Sequence, residues 1–229
     1  MPVIEPCEDP TLNGDGVAHE GFHAAALGMR GIPGACEALG AERGILMAEL
    51  TGSSFHVAHM SARASLRAVR KGKEAGIRVT CEVAPHHFTL TDEALSTPIP
   101  YDTNTKMNPP LRELADRDAM IQGIVDGTVD VIATDHAPHH YDEKNVEFDR
   151  APFGIVGLET AVAIGAATPI VDEGWRELDF GAWEGLTPED AARRDPEVFA
   201  AFDRGDLDGF PEGETVGAVR DRTLDALAR

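Results

Sequence analysis

Residues Val129–His140, VDVIATDHAPHH, decide the reading of this chain. From Val129 to Thr134 the run is continuous and largely apolar, as a buried parallel strand should be. It breaks off into Asp135, His136, His139 and His140, side chains that bind metals and move protons. The same grammar recurs upstream. Val3 to Glu5 reads as the end of a strand, and a helix is expected from about Gly34 to Leu50. Ser54 to His59 reads as a strand, after which Ser61 is expected to cap a helix reaching Ala75. Gly76 stops that helix, Ile77 to Val83 is a β-branched strand, and a helix from Glu113 to Asp126 follows. Strand alternating with helix predicts an α/β fold with a parallel sheet. Functional groups of such folds collect beyond the carboxyl ends of the strands.

Three of these strand ends carry clusters: His56 and His59, then His86 and His87 after Pro85, then Asp135 to His140. Residues three apart on a strand face opposite sides, so His56 and His59 are not expected to point together, and His59, at the carboxyl end, is the ligand candidate. An isolated histidine is most often a hydrogen-bonded structural residue. Three clusters at three consecutive strand ends argue for a polar or metal site.

Charge narrows the function classes. Forty acidic residues against twenty basic ones give a net charge of −20, which argues against nucleic acid and against an anionic membrane surface. The longest uncharged apolar stretch, Thr160 to Val171, is too short for a bilayer and holds Gly165 and Pro169. The first residues, MPVIEPCEDP, lack the basic and apolar regions of a secretory signal. Cys7, Cys36 and Cys81 read as reduced thiols filling core positions of a cytoplasmic protein.

The blocks CEDPTLNGDGVAHEG, FHVAHMS, VTCEVAPHHFTLT, KMNPPLR, DGTVDVIATDHAPHHYDEK and APFGIVGLE, in this order and spacing over residues 2 to 162, resemble a bacterial dihydroorotase of the amidohydrolase superfamily. The resemblance implies a distorted TIM barrel, zinc at its carboxyl-terminal face, and interconversion of dihydroorotate and N-carbamoyl-aspartate in pyrimidine synthesis. It implies that His59 is a zinc ligand and that Asp135 both contacts metal and shuttles the proton. Asn108 and His139 would hold the substrate ring and carboxylate, with backbone groups of Pro152, Phe153 and Gly154 against the ring. For Asn108 an Asx-turn before Pro109 and Pro110 is the alternative. His86 and His87 match no ligand and read as structural or supporting residues. Pro6 stands where the resemblance calls for a strand-five histidine, and the expected His-x-His pair, bridging residue and substrate-binding arginine have no counterpart in these 229 residues. His59 and Asp135 alone are too few ligands for a catalytic zinc. A non-catalytic scaffold for aspartate carbamoyltransferase is the alternative that Pro6 favours.

The tail is of another character. All nine histidines, all three cysteines and all four lysines precede residue 145, while both tryptophans, Trp175 and Trp183, follow it. Thr187 and Pro188 read as N-cap and first position of a helix, and Thr215 opens a second one with Val216, Val219 and Leu227 on one apolar face. RELDFGAWEG and PEGET resemble the phosphoglycerate-mutase-like histidine phosphatases, with Glu177 at the place of the acid/base glutamate. The Arg-His-Gly nucleophile motif of that family is absent, and a phosphohistidine mechanism cannot run without it.

The expectation is therefore a partial TIM barrel of about four βα units at 1–162, followed at 163–229 by a small, mostly helical α/β fragment, joined within residues 159–168. A half-barrel is expected to leave two open strand edges and an apolar inner face, and so to self-associate.

Overall fold

A computed structural model describes residues 3–158, 160–161, 176 and 178–227. The chain divides into two compact units, Met1–Ala167 and Thr168–Arg229.

The first unit is built in the order β1 (Val3–Pro6), α1 (Pro10–Asn13), β2 (Ala18–His19), α2 (Phe22–Ala26), β3 (Gly31–Ile32) and α3 (Gly34–Thr51). It continues through β4 (Phe55–Ala58), α4 (Arg63–Glu74), β5 (Val79–Val83), α5 (Pro85–Thr89), α6 (Leu114–Val125), β6 (Val131–Ile132) and α7 (Tyr141–Lys144). Four strands form one parallel sheet in the order β1-β4-β5-β6, and β2 and β3 form a separate parallel pair. Parallel neighbours joined through helices are the βαβ units of a TIM barrel, and four strands are half of one.

Alternation along the strands sets what the two faces of the sheet carry. Phe55, Val57, Val79, Cys81 and Val83 are buried with Ile45, Ala48, Leu66 and Val69 of α3 and α4. Fully burying one such aliphatic side chain contributes about 1.5–3 kcal/mol. The contact is close enough to need a glycine: a Cβ on Gly44 of α3 would lie 2.1 Å from the Phe55 ring. His56, Thr80 and Glu82 take the other face. There the His56 Nδ1 is 2.7 Å from Thr80 Oγ1 and its Nε2 is 3.1 Å from Glu82 Oε2. The inner face is thus polar at its centre, correcting the apolar face expected from the sequence. Phe55, Val57, Val79, Cys81 and Val83 turn outward to the helices, while Ile4 and Val131, in register with His56 and Glu82, flank the polar centre on the inner face.

Two further expectations are corrected. The strand expected over Val129–Thr134 is reduced to Val131 and Ile132, 45% and 44% exposed, because β6 pairs on one side only and forms a sheet edge. Ser61 does not cap α4. Glu37 of α3 accepts hydrogen bonds from the Ser61 and Ala62 amides at 3.0 and 2.9 Å, and Asp116 of α6 accepts from the Arg63 amide at 2.9 Å. Two carboxylates from neighbouring helices do the work of an N-cap side chain, satisfying otherwise orphaned donors where the helix dipole favours negative charge.

In the second unit, α8 (Pro188–Arg194) and α9 (Pro196–Asp203) pack about Trp183, and α10 (Val216–Leu227) follows them in the chain. Its ring packs with Phe199, Phe202 and Phe210, and its Nε1 donates to Asp195 Oδ2 at 2.8 Å. Thr187 caps α8 with Pro188 in the first turn, and Thr215 Oγ1 accepts from the Ala218 amide. Val216, expected on an apolar inner face, is 53% exposed. Gly209 and Thr215 make an antiparallel bridge. The proposed acid/base glutamate, Glu177, lies outside the described residues, as does most of the expected junction.

Candidate functional site

The site is assembled where β4, β5 and β6 end. Beyond Ala58 the backbone of His59 takes φ +33°, and beyond β6 that of Asp135 takes φ +47°. Left-handed backbone is uncommon outside glycine, and where tertiary structure holds a residue there the position merits a functional hypothesis. The turn at His59 also breaks the strand alternation, so His56 and His59 both reach the Glu82 carboxylate. His56 Nε2 lies 3.1 Å from Oε2, and on Oε1 converge the His59 amide at 3.2 Å and the His59 Nδ1 at 3.6 Å. The expectation that His56 and His59 point apart fails for this reason: His59 is past the strand.

Electrostatics follow from this geometry. Hydrogen bonding to Glu82 pushes the His59 pKa up, aided by the charge of Asp135 and opposed by burial. Glu82 is held down at about 2, first by His59 and then, against burial, by His56. The charged forms of both partners favour each other. His86 and His87 behave oppositely: burial brings both down to about 3. The His87 Nε2–H donates to the Pro109 carbonyl at 2.9 Å while its Nδ1 is buried without a partner. The His86 Nε2 is likewise buried without a hydrogen bond, 3.9 Å from Asp135 Oδ2.

The remaining candidates gather on two adjoining loops. His139 Nε2 lies 2.9 Å from the Phe153 carbonyl. Gly154 (φ +126°) donates to the Lys106 carbonyl at 3.0 Å, and a Cβ there would meet Ala137 O at 2.7 Å and His139 Nε2 at 3.2 Å. The Pro152 carbonyl accepts from Lys144 Nζ at 2.8 Å. Lys144 also reaches the Thr103 carbonyl, while buried Lys106 donates to Phe148 and Asp149 carbonyls beneath the Phe153 ring. Two lysines thus fasten the 148–154 loop to the segment that leads into Asn108. Asn108 itself reaches across to Glu8 at 3.4 Å instead of closing an Asx-turn. His136 accepts from the Gly157 and Leu158 amides.

Glu82, Lys106 and Lys144 escape a reading of the sequence alone. For Glu82 a signal existed: it is the one carboxylate in the run Ile77–Val83. Nothing distinguishes the two lysines from solvated ones.

Whether these donors fit a zinc ion can be judged from the donor set. His59 turns its Nδ1 to Glu82 at 3.6 Å, and Pro6 offers no lone pair. Among the described residues the only group of three His, Cys, Asp or Glu ligand atoms mutually within 4.8 Å is His19, Glu113 and Asp116, which includes neither His59 nor Asp135. The donors at the strand ends do not close round a metal. The His19 group is no better placed. Its Nδ1 accepts from Arg112 Nη1 at 3.1 Å, so the neutral ring carries its proton on Nε2 and turns an N–H, not a lone pair, elsewhere.

Known proteins place this geometry. A D-hydantoinase structure aligns with TM-score 0.61 at 20% identity, over 74% of this chain and 38% of that one. The dihydropyrimidinase of Brevibacillus agri aligns with TM-score 0.59 at 21% identity, over 72% and 39%. The first unit therefore has the fold of part of these structures, a half-barrel of parallel strands. In sequence it is dihydroorotase-like: the dihydroorotase of Pelotomaculum thermopropionicum is 57% identical over 164 residues, 72% of this chain and 38% of the relative. That of Geobacter sp. is 48% identical over 222 residues, 97% of this chain and 48% of the relative. The chain spans less than half the length of these relatives. Residues 1–65 match the family model "Dihydro-orotase-like", and residues 158–229 match "Histidine phosphatase superfamily (branch 1)". The Geobacter alignment covers nearly the whole chain, so in the tail these two likenesses overlap.

Proposed function

We propose that the first unit derives from a zinc-dependent cyclic amide hydrolase acting on dihydroorotate, and that the 229-residue chain by itself does not turn this substrate over. The observation that supports the reading is the left-handed placement of His59 and Asp135 at the ends of β4 and β6, on either side of β5, in a chain 57% identical to a dihydroorotase over 164 residues. In this reading Asp135 takes the proton of the attacking water, and Asn108, His139 and the 152–154 backbone hold the ring and its carboxylate. Asp135 can accept a proton as the chain stands, but amide hydrolysis at neutral pH needs a stronger nucleophile than free water.

The test follows dihydroorotate absorbance while zinc is titrated into the purified chain. Background rates are expected throughout, and Pro6→His alone should not change them. A chimera that joins the preceding part of the Pelotomaculum relative to this chain with Pro6→His should gain zinc-dependent turnover. Zinc-dependent turnover by the unmodified chain, abolished by Asp135→Ala, would overturn the inactivity. A chimera that hydrolyses hydantoin but not dihydroorotate would overturn the substrate.

For the tail, the phosphatase likeness is read as descent without activity, with the change of origin placed within residues 159–168. The chain has no histidine after His140 to carry a phosphoryl group. Co-purification with aspartate carbamoyltransferase would favour the scaffold reading over a lost enzyme.

A further inference from the structure

The second unit gathers aromatic residues. Both tryptophans and four of the nine phenylalanines fall in Thr168–Arg229. Trp183 and Phe210 are buried, and Phe180 and Phe199 are partly buried against them. Phe202 belongs to the same cluster, its ring centroid 6.0 Å from that of Trp183 and 5.9 Å from that of Phe210, yet it is 47% exposed. A phenylalanine that only fills a core is covered. This one opens on a cavity of about 240 Å³, walled by Phe180, Trp183, Phe199, Phe202 and Phe210, with Leu186 and Pro188 at the entry to α8.

The charge at this cavity has one sign. Among the described residues that line it, Glu184 alone is charged, and it is exposed. Its Oε1 accepts from the Phe180 amide at 3.0 Å, and no Lys or Arg of the described residues pairs with it. The unit around it holds sixteen acidic residues, seven arginines and no lysine. An anion is repelled, and the cavity lacks the Arg or Lys that would hold a phosphoryl group. Aromatic faces and a carboxylate together attract a cation with an apolar surface. The ring quadrupole draws positive charge placed within about 6 Å of a ring centroid, and quaternary ammonium groups are recognised in this way.

We propose that this cavity binds a small quaternary ammonium compound, its methylated head against the aromatic wall and its charge answered by Glu184. The proposal is independent of the hydrolase ancestry of the first unit and of the phosphatase likeness of the second. Size favours a free small cation. The cavity is smaller than the roughly 300–1,000 Å³ of pockets for drug-sized ligands, so a lipid or a peptide would leave most of its length outside. A phosphatidylcholine surface also brings a phosphate beside every trimethylammonium, which the acidic unit repels.

Choline is titrated into the full chain and tryptophan fluorescence is followed, both tryptophans lying in this unit, with sodium chloride at matched ionic strength as the control. A saturable change in the low millimolar range is expected with choline and none with the salt. The neutral analogue 3,3-dimethylbutan-1-ol, with carbon in place of the nitrogen, should bind about tenfold more weakly. Phe202→Leu changes an exposed position, and Glu184→Gln keeps a carbonyl for the Phe180 amide. Each should weaken choline several-fold with the circular dichroism spectrum unchanged. No saturation by choline, equal affinity for the neutral alcohol, or indifference to both substitutions would each overturn the proposal. Tighter binding of phosphatidylcholine vesicles or of a trimethyl-lysine peptide would overturn the small free cation as the occupant.

Discussion

Replacing Arg112 by methionine tests the interior of the first unit at its most charged point. The Arg112 and Glu37 side chains are 3% and 4% exposed, with Nη2 and Oε2 3.6 Å apart. Arg112 also donates to Ser61 Oγ at 3.1 Å, to the Ile32 carbonyl at 2.8 Å and to His19. Removing one partner of a buried pair costs about 3–5 kcal/mol, because the other charge stays behind. Here the lower end applies. Glu37 keeps the amides of Ser61 and Ala62 and the Ser61 hydroxyl, and the Ile32 carbonyl keeps the Glu20 amide. Arg112→Met is therefore expected to destabilise the unit by about 3 kcal/mol, Glu37→Gln by about 1–3 kcal/mol, and the double variant by less than their sum, a coupling of about 1 kcal/mol or more. Urea unfolding followed by circular dichroism measures this, with an unchanged slope confirming that stability alone has moved. Both tryptophans lie in Thr168–Arg229, so fluorescence reports the second unit as an internal control. A cost below about 1 kcal/mol for Arg112→Met, or strict additivity in the cycle, would show that the pair is not the coupled buried contact described.

Three more outcomes follow from the same packing and electrostatics. Gly44→Ala forces a methyl into the Phe55 ring and should cost about 1–3 kcal/mol, with Phe55→Leu recovering part of it in the same unfolding assay. His87 is held at about 3, below its ordinary 6.5, so its contribution is complete above pH 6.5 and is lost as pH falls toward 3. Unfolding free energies at pH 7, 6 and 5 should therefore fall more steeply in the parent than in His87→Asn, by up to about 1.4 kcal/mol per pH unit; equal slopes would contradict the burial of a neutral ring. Glu82→Gln removes the carboxylate that favours imidazolium at His59, so an NMR titration should find the His59 pKa moved down, and an unmoved pKa would mean that Asp135 carries the effect.

What the sequence disclosed was what depends on local order. The helices expected from about Gly34 to Leu50 and from Glu113 to Asp126, the strands between them and the clusters at the strand ends follow from the alternation of β-branched runs with helical stretches and from the stop at Gly76. Pairing between distant residues was hidden. Ser61 looked like a cap because serine usually is one, yet Glu37, 24 residues away, occupies that role. His56 and His59 seemed to diverge because alternation was carried one residue past the end of the strand. Val131 and Ile132 are written as interior residues of a sheet, and they are exposed only because β6 is its last strand.

The clamp on the first turn of α4 bears on how this unit must assemble. Its acceptors reach in from chain segments 24 and 53 positions distant, one on either side. Until α3 and α6 have both docked, the amides that open α4 have no carboxylate to receive them, and Glu82 alone holds the turn that carries His59 out of the strand. The rim is therefore complete only once both flanking helices are in place. A chain cut in the loop between α5 and α6 would keep every residue of that rim up to His87 and still lose its shape, until the piece bearing Asp116 was added back.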